Sequence, residues 1–108
     1  MKIVYICSPL KGQILANIIR ANKYCKQAAN KGVMPLAPHV IFSQFLDDNN
    51  PDDREHGMTM GIELLYKCDE LWVYGEPSEG MKAEIKLAQE LNMPIKYHDS
   101  KGGEYERG

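Results

Sequence analysis

One acidic residue sits on the wrong side of its helix. Winding SEGMKAEIKLAQELN (78 to 92) at 100° per residue puts Met81, Ile85, Leu87, Ala88 and Leu91 on one broad face. Lys82, Lys86, Gln89 and Glu90 share the other side, yet Glu84 falls among the apolar residues, between Leu91 and Ala88. A carboxylate there carries a desolvation cost unless donors compensate it. Its place within the first two turns helps, because a helix N-terminus favours negative charge by about 0.3–1 kcal/mol. An ionised carboxylate in a crevice with few competing waters suits attack on an electrophilic carbon. The competing reading is a rim residue bonded to backbone amides or to Tyr5.

Other residues could serve the same chemistry. The stretch SPLKG (8 to 12) offers turn amides, the Ser8 hydroxyl, the Lys11 ammonium and Gly12 for close backbone approach. These are the parts of an anion site, and equally the parts of a plain turn. Neither GxxxxGK[ST] nor GxGxxG is present. Tyr5 points to the opposite side of its strand from Val4 and Ile6; it could orient a carboxylate or simply pack. His39, after Pro38, could meet a ligand or cap a surface turn. DDNNPDDREHG is not an EF-hand loop, which would need Gly where Asp53 stands and Glu where Thr59 stands. His39, His56 and His98 lack metal-ligand spacing, so no metal and no cofactor are expected.

The elements that must position these residues follow from periodicity and breakers. KIVYIC (2 to 7) is a strand ended by SPLKG. A helix from Ile14 to Asn30 presents Ile14, Ile18, Ala21, Cys25 and Ala28 on one face and stops at Gly32. VMPLAP (33 to 38) is a second strand, its prolines marking an end or an edge. HVIFSQFLDDNNPDD reads as a long polar-ended loop, followed by a helix from about Arg54 to Lys67 with Met58, Gly61, Ile62 and Leu65 inward. ELWVYG (70 to 75) is the third strand, and MPIKYH (93 to 98) is the fourth. Residues 1–97 then form one α/β domain, and residues 98–108 a polar, Gly-rich, mobile tail.

Strands alternating with helices predict a Rossmann-like or flavodoxin-like three-layer sandwich with a small parallel sheet. In such sheets ligands bind beyond the carboxyl ends of the strands. That gathers SPLKG, the loop after His39 and the turn before Glu84 into one crevice.

Composition narrows the function classes. With 108 residues the chain supports one core. A net charge of -2 gives no electrostatic footprint for duplex nucleic acid. No apolar run of about 18 residues is present, so no membrane span is expected, and MKIVYIC reads as a strand rather than a leader. Cys7, Cys25 and Cys68 are odd in number with no close pairing, which suits a reduced, cytoplasmic protein; Cys7 and Cys68 read as small apolar core residues.

Taken together, YICSPLKG, APHV, KCDELWV and SEGMKAEI resemble the nucleoside 2-deoxyribosyltransferase-like superfamily, over nearly the whole chain up to Tyr97. The resemblance implies a Rossmann-like parallel sheet and cleavage of the N-glycosidic bond of a nucleoside or nucleotide, with Glu84 as nucleophile and Tyr5 as its partner. The superfamily's transferases carry an Asp six residues before the nucleophile, and here Ser78 stands there. The deoxynucleoside 5′-monophosphate N-glycosidase branch has Ser at that place and a first loop of Tyr-x-Cys-x-x-aliphatic-basic-Gly, matched by Tyr5, Cys7, Leu10, Lys11 and Gly12. MGIELLYKCDELWVYG with SEGM is similar to a small subgroup seen in phage and bacterial genomes.

The resemblance further implies phosphate binding by the first loop (Ser8, Leu10, Lys11, Gly12) and Ser78, a small-molecule nucleotide as partner, and a homodimer or higher homo-oligomer. His39, Gly80 and Met81 complete the expected substrate-binding set, and the apolar FSQFL (42 to 46), costly to expose in a loop, either forms an interface or packs under the loop. The resemblance also implies an acid eight residues before Asp69 for proton transfer to the base, where this chain has Gly61; Glu63 and Asp47 or Asp48 are the acids that could substitute. That departure leaves two functions open: an N-glycosidase, or a nucleotide-binding protein that does not turn over. An interaction module of the same fold is a third.

Overall fold

A computed structural model describes residues 1–107. In chain order the elements are β1 (Ile3–Cys7), α1 (Ile14–Asn30), β2 (Met34–Leu36), α2 (Pro38–Phe42), α3 (Pro51–Tyr66), β3 (Glu70–Tyr74), α4 (Glu79–Glu90), β4 (Ile95–His98) and β5 (Glu104–Tyr105). Every residue of β3 is buried, as a central strand covered on both faces requires. The sheet order is β2-β1-β3-β4-β5. Its first four strands are parallel, and β5 pairs antiparallel with β4. This is the flavodoxin-like order, whose direction of winding reverses between β1 and β3. Pro35 lies in β2, an edge strand where a missing N–H is tolerated.

Strand alternation divides the core into two layers. Val4 and Ile6 of β1 face α1, packing with Tyr24, Ala28, Trp72 and Tyr74. Tyr5 and Cys7 face the other way, into a cluster with Leu65 of α3, Leu71 and Val73 of β3, and Met81, Ile85 and Ala88 of α4. The second layer is the one that holds the candidate chemistry.

Several expected boundaries move. The stretch after Ala37 is not all loop: Pro38, at the first helical position, starts the short helix α2, and His39 rides on it. Helix α3 begins at Pro51 rather than Arg54, because Asn50 caps it. The Asn50 Oδ1 accepts from the backbone N–H of Asp52 (2.9 Å) and Asp53 (3.2 Å). The inward face of α3 also differs. Leu65 is buried and Gly61 partly so, but Met58 is 64% and Ile62 46% exposed. Two glycines explain this: Cβ atoms added at Gly57 and Gly61 would lie 3.3 Å from Leu46 Cδ1 and 3.5 Å from the Tyr5 hydroxyl, so the glycine stripe faces the protein and Met58 and Ile62 rotate outward.

Helix α1 shows a similar rotation. Its buried residues are Asn17, Ala21, Tyr24 and Ala28, while Ile14 is exposed and Cys25 half-buried. Tyr24 is drawn inward by stacking on Tyr74, with ring centroids 4.3 Å apart, and Tyr74 stacks in turn on His98 at 4.2 Å.

The domain end expected at Tyr97 falls inside β4, which includes the fully buried His98. The chain then turns through Asp99, whose carboxylate accepts from the N–H of Lys101 and Gly103, both at 2.9 Å, and returns as β5. The Tyr24 hydroxyl donates to the Ser100 carbonyl at 2.8 Å, tying this turn to α1.

The amino ends of the strands are joined by polar bonds far from the expected crevice. Asp69 Oδ2 accepts from the Ile3 N–H at 2.8 Å. Buried Glu70 accepts from Lys2 Nζ at 2.7 Å and from Trp72 Nε1 at 2.9 Å. Replacing Glu70 by Ala leaves the indole N–H of Trp72 without an acceptor inside the core. Glu70→Ala is therefore expected to lose about 1–3 kcal/mol of stability, read by urea denaturation on the fluorescence of the single tryptophan; an unchanged midpoint would contradict this.

Candidate active site

The site is built where β1 ends and α4 begins. Ser78 is the N-cap of α4: its hydroxyl oxygen accepts from the Met81 N–H, and its own N–H donates to the Met81 sulfur, both at 3.4 Å. Met81 is buried, pinning the first turn against the core. Met81, Glu84, Ile85 and Ala88 then form one stripe toward the sheet. Glu84 is thus carried inward at the carboxyl end of β1.

There it meets two donors from one strand. The Tyr5 hydroxyl donates to Glu84 Oε2 in a short hydrogen bond, and the Cys7 thiol donates to Oε1 at 3.5 Å. Tyr5 and Cys7 are two residues apart, so the pleat aims both at the same helix. Burial pushes the Glu84 carboxyl above its ordinary range, and the Tyr5 and Cys7 hydrogen bonds offset part of that rise. Burial, reinforced by the neighbouring carboxylate, also drives the Tyr5 hydroxyl and the Cys7 thiol well above their usual values. Both donors therefore keep their protons, and Glu84 is the group of the three that ionises first. The arrangement is a shielded carboxylate whose two oxygens are held in fixed directions.

The first loop lies beside this cluster. Buried Ser8 shares a 3.0 Å hydrogen bond with Nε2 of His39, joining β1 to α2. Burial lowers the His39 pKa to about 4, so its ring is neutral at neutral pH. Asn17 Nδ2 donates to the carbonyls of Leu10 (2.9 Å) and Lys11 (3.2 Å), while its Oδ1 accepts from Arg20 at 2.9 Å. Gly12 has φ +95°, a left-handed conformation that lets the loop turn into α1. Lys11, Ser78 and Gly80 are exposed, and the Lys11 ammonium makes no ion pair among the described residues. A Cβ at Gly80 would meet nothing, leaving the start of α4 open.

The structure thus joins Tyr5 and Glu84 directly, pairs Ser8 with His39, and ties Ser78 to Met81. No hydrogen bond among the described residues connects Lys11 or Ser78 to Glu84. Two participants escaped the sequence reading. Cys7, taken there as a core residue, is also a donor to Glu84; the signal was its separation of two from Tyr5. Asn17 was masked by the isoleucines around it and is recognised only because the loop carbonyls lie over it. A cavity of about 420 Å³ opens on the α1 side, lined by Ser8, Asn17, Arg20, Tyr24 and Tyr74 among others, but by neither Tyr5 nor Glu84.

Gly61 faces this site as well, since its absent side chain would approach the Tyr5 hydroxyl. The position from which the resemblance implies an acid therefore looks toward the hydroxyl that binds the carboxylate, and this chain places no side chain there.

Residues 2–98 match the family described as a domain of unknown function, DUF7768. The chain belongs to that family. No curated protein matches it. Among solved structures, it is similar to the 2-deoxyribosyltransferase of the psychrotolerant bacterium Bacillus psychrosaccharolyticus, with 15% identity and a TM-score of 0.68 over 96% of this chain and 77% of that one. The DUF7768 chain therefore has the nucleoside 2-deoxyribosyltransferase fold. No helix among the described residues is long and apolar enough to cross a membrane.

The raised Glu84 pKa has a stability consequence. The folded state holds this proton more tightly than the unfolded one, so stability falls as pH rises from the ordinary carboxylate value through the raised one. Above the ordinary carboxylate value this group therefore costs stability, a cost that Glu84→Gln removes while keeping an acceptor for Tyr5. Glu84→Gln is expected to melt at or above the parent temperature at pH 7, the difference shrinking below the ordinary carboxylate pKa. Scanning calorimetry across pH checks this, and a variant that melts well below the parent at pH 7 would overturn it.

Proposed function

We propose that this protein is an N-glycosidase-like enzyme that cleaves the N-glycosidic bond of a (deoxy)nucleoside 5′-monophosphate or related nucleotide. The observation that carries this reading is the partly buried Glu84 carboxylate, held by Tyr5 at the carboxyl end of the sheet. A Glu84 oxygen attacks C1′ of the sugar. The bond from C1′ to the base breaks, its electron pair leaves on the base nitrogen, and a glycosyl ester remains. Water then adds at C1′, the ester bond breaks, and the carboxylate is restored, as in a retaining glycosidase. Position 61 is glycine, so the departing base takes its proton from solvent or from another acid, Glu63, Asp47 or Asp48. The water that adds at C1′ gives up a proton in turn, so that one water is consumed overall.

The phosphate assignment rests on two features. The SPLKG loop, with carbonyls tied back to Asn17, leaves its amides and Lys11 free to face an anion. Ser78 accepts through its oxygen within the helix cap, so its hydroxyl proton remains available to a ligand. An Asp at that position would repel a dianion. Ser8, Leu10, Gly12 and Gly80 shape the same rim, and Met81 and neutral His39 wall the base pocket. The unpaired cysteines suit a reducing cytoplasm.

The test is incubation of the purified protein with a panel of nucleoside monophosphates and the matching nucleosides, with chromatographic detection of free base. Base release is expected from monophosphates, to vanish in Glu84→Gln, and to weaken on acidification as Glu84 takes up its proton. A charge-assisted hydrogen bond contributes about 1.5–3 kcal/mol, so Lys11→Ala should weaken monophosphate binding about tenfold or more and leave the nucleoside unaffected. Turnover in Glu84→Gln equal to the parent's would overturn the nucleophile. Tight binding of a monophosphate without base release would favour the second reading, a nucleotide-binding protein, which Gly61 supports.

The same reading includes a homodimer. Met58 and Ile62, at four-residue spacing on α3, continue to Tyr66 (56% exposed), and Phe45 (64%) and Ile41 (43%) add to the apolar surface. Large exposed apolar side chains are the usual material of association faces, and these are the candidates for one here. Of the FSQFL segment, Phe45 is the exposed part, while Phe42 and Leu46 pack inward. Sedimentation velocity is expected to give a dimer for the parent and a monomer for Met58→Lys/Ile62→Lys; a monomeric parent at high micromolar concentration would contradict this.

A further inference from the structure

We propose that Cys7 is a positioning residue for Glu84, its thiol directing one carboxylate oxygen while Tyr5 directs the other, so that β1 sets the angle at which the carboxylate meets a substrate. The inference rests on the reading of Glu84 as the nucleophile. It goes beyond that reading by assigning a task to a residue that sequence reasoning left in the core.

The geometry has three parts. Cys7 is 1% exposed, yet its sulfur lies 3.5 Å from Glu84 Oε1, so the side chain is more than apolar filling. Tyr5 takes Oε2, leaving Cys7 as the hydrogen-bond partner of the other oxygen among the described residues. Both donors stand on a central strand that is paired on each side, with β2 and with β3. A carboxylate restrained at both oxygens cannot rotate freely about its terminal bond, and its orientation is inherited from the least mobile part of the sheet.

No competing charge faces Glu84 from the elements packed around it. Helix α3 presents Gly61 and Leu65, β3 presents Leu71 and Val73, and α4 itself presents Met81, Ile85 and Ala88. Cys68, between α3 and β3, is the other buried titratable member of that cluster, its thiol pushed up to about 11 by burial and by Asp69, and Tyr97 of β4 packs against the cluster from its edge. His39, on α2, is engaged with Ser8. The thiol of Cys7 itself stays protonated because burial and the adjacent carboxylate both disfavour a thiolate. It therefore remains a donor after Glu84 has ionised.

Removing a donor from a carboxylate raises its pKa, whereas replacing a thiol by a hydroxyl substitutes a stronger donor in nearly the same volume. The experiment is a titration of Glu84 in the free protein by isotope-edited infrared or carbon NMR, with Glu84→Gln to assign the signal. In Cys7→Ala the Glu84 pKa is expected to rise by about half to one unit, roughly three- to tenfold in ionisation constant. In Cys7→Ser it should stay at the parent value or fall. Tyr5→Phe gives the scale for loss of the other donor. A side chain that merely fills space would make Ala and Ser alike in this readout, even if both lowered stability. An unmoved pKa in Cys7→Ala, or equal shifts in Ala and Ser, would overturn the proposal. The titration needs no turnover, so its failure is distinct from that of the N-glycosidase reading; where base release is measured, its acid limb should move with the titrated pKa.

Discussion

Holding a carboxylate partly out of water against the sheet is the constraint around which this chain is arranged. Such a group is tolerated only with donors at its oxygens, and here they come from one strand, Tyr5 and Cys7, across to one helix, Glu84. The requirement propagates outward. Strand β1 must be central and rigid, which β2 and β3 secure by pairing on either side. Helix α4 must begin at a defined residue, which the Ser78 cap and buried Met81 secure. Helix α3 must come close to this cluster, and it does so at Gly61, beside the Tyr5 hydroxyl, and at Gly57, beside Leu46.

The two ends of the sheet use polar groups to opposite effect. At the amino ends, Glu70 is satisfied by Lys2 and Trp72, and Asp69 by the backbone of Ile3. These acids are consumed in joining the strands. At the carboxyl ends, Glu84 is satisfied enough to be tolerated and too little to be stabilising, as its raised pKa records. Residual cost of this kind concentrates where a fold keeps a group available for chemistry.

Gly61 gives the site its individual character. Without a side chain there, space remains above the Tyr5 hydroxyl. The residues seen to act on Glu84, Tyr5 and Cys7, are hydrogen-bond donors that orient and shield its carboxylate. The neighbouring pair Ser8 and His39 adds a neutral, hydrogen-bonded wall, since burial keeps the imidazole uncharged near neutral pH.

The amino-acid sequence by itself determined the order and type of the main elements, because breakers and periodicity are local. The limits of α1, Ile14 and Asn30, coincide with the apolar periodicity and Gly32, and the buried run Glu70–Tyr74 reads directly as an inner strand. It also determined that Glu84 faces inward and that Tyr5 lies opposite Val4 and Ile6, since helix and strand periods are intrinsic to the backbone. Tertiary contact decided the rest. Which side of α1 is buried was settled by the Tyr24–Tyr74 stack, and which side of α3 by close approach at two glycines. Whether a cysteine is filler or donor depends on what lies across from it, 77 residues along the chain. Periodicity states which way a side chain points; only the packing of distant segments supplies the partner it meets.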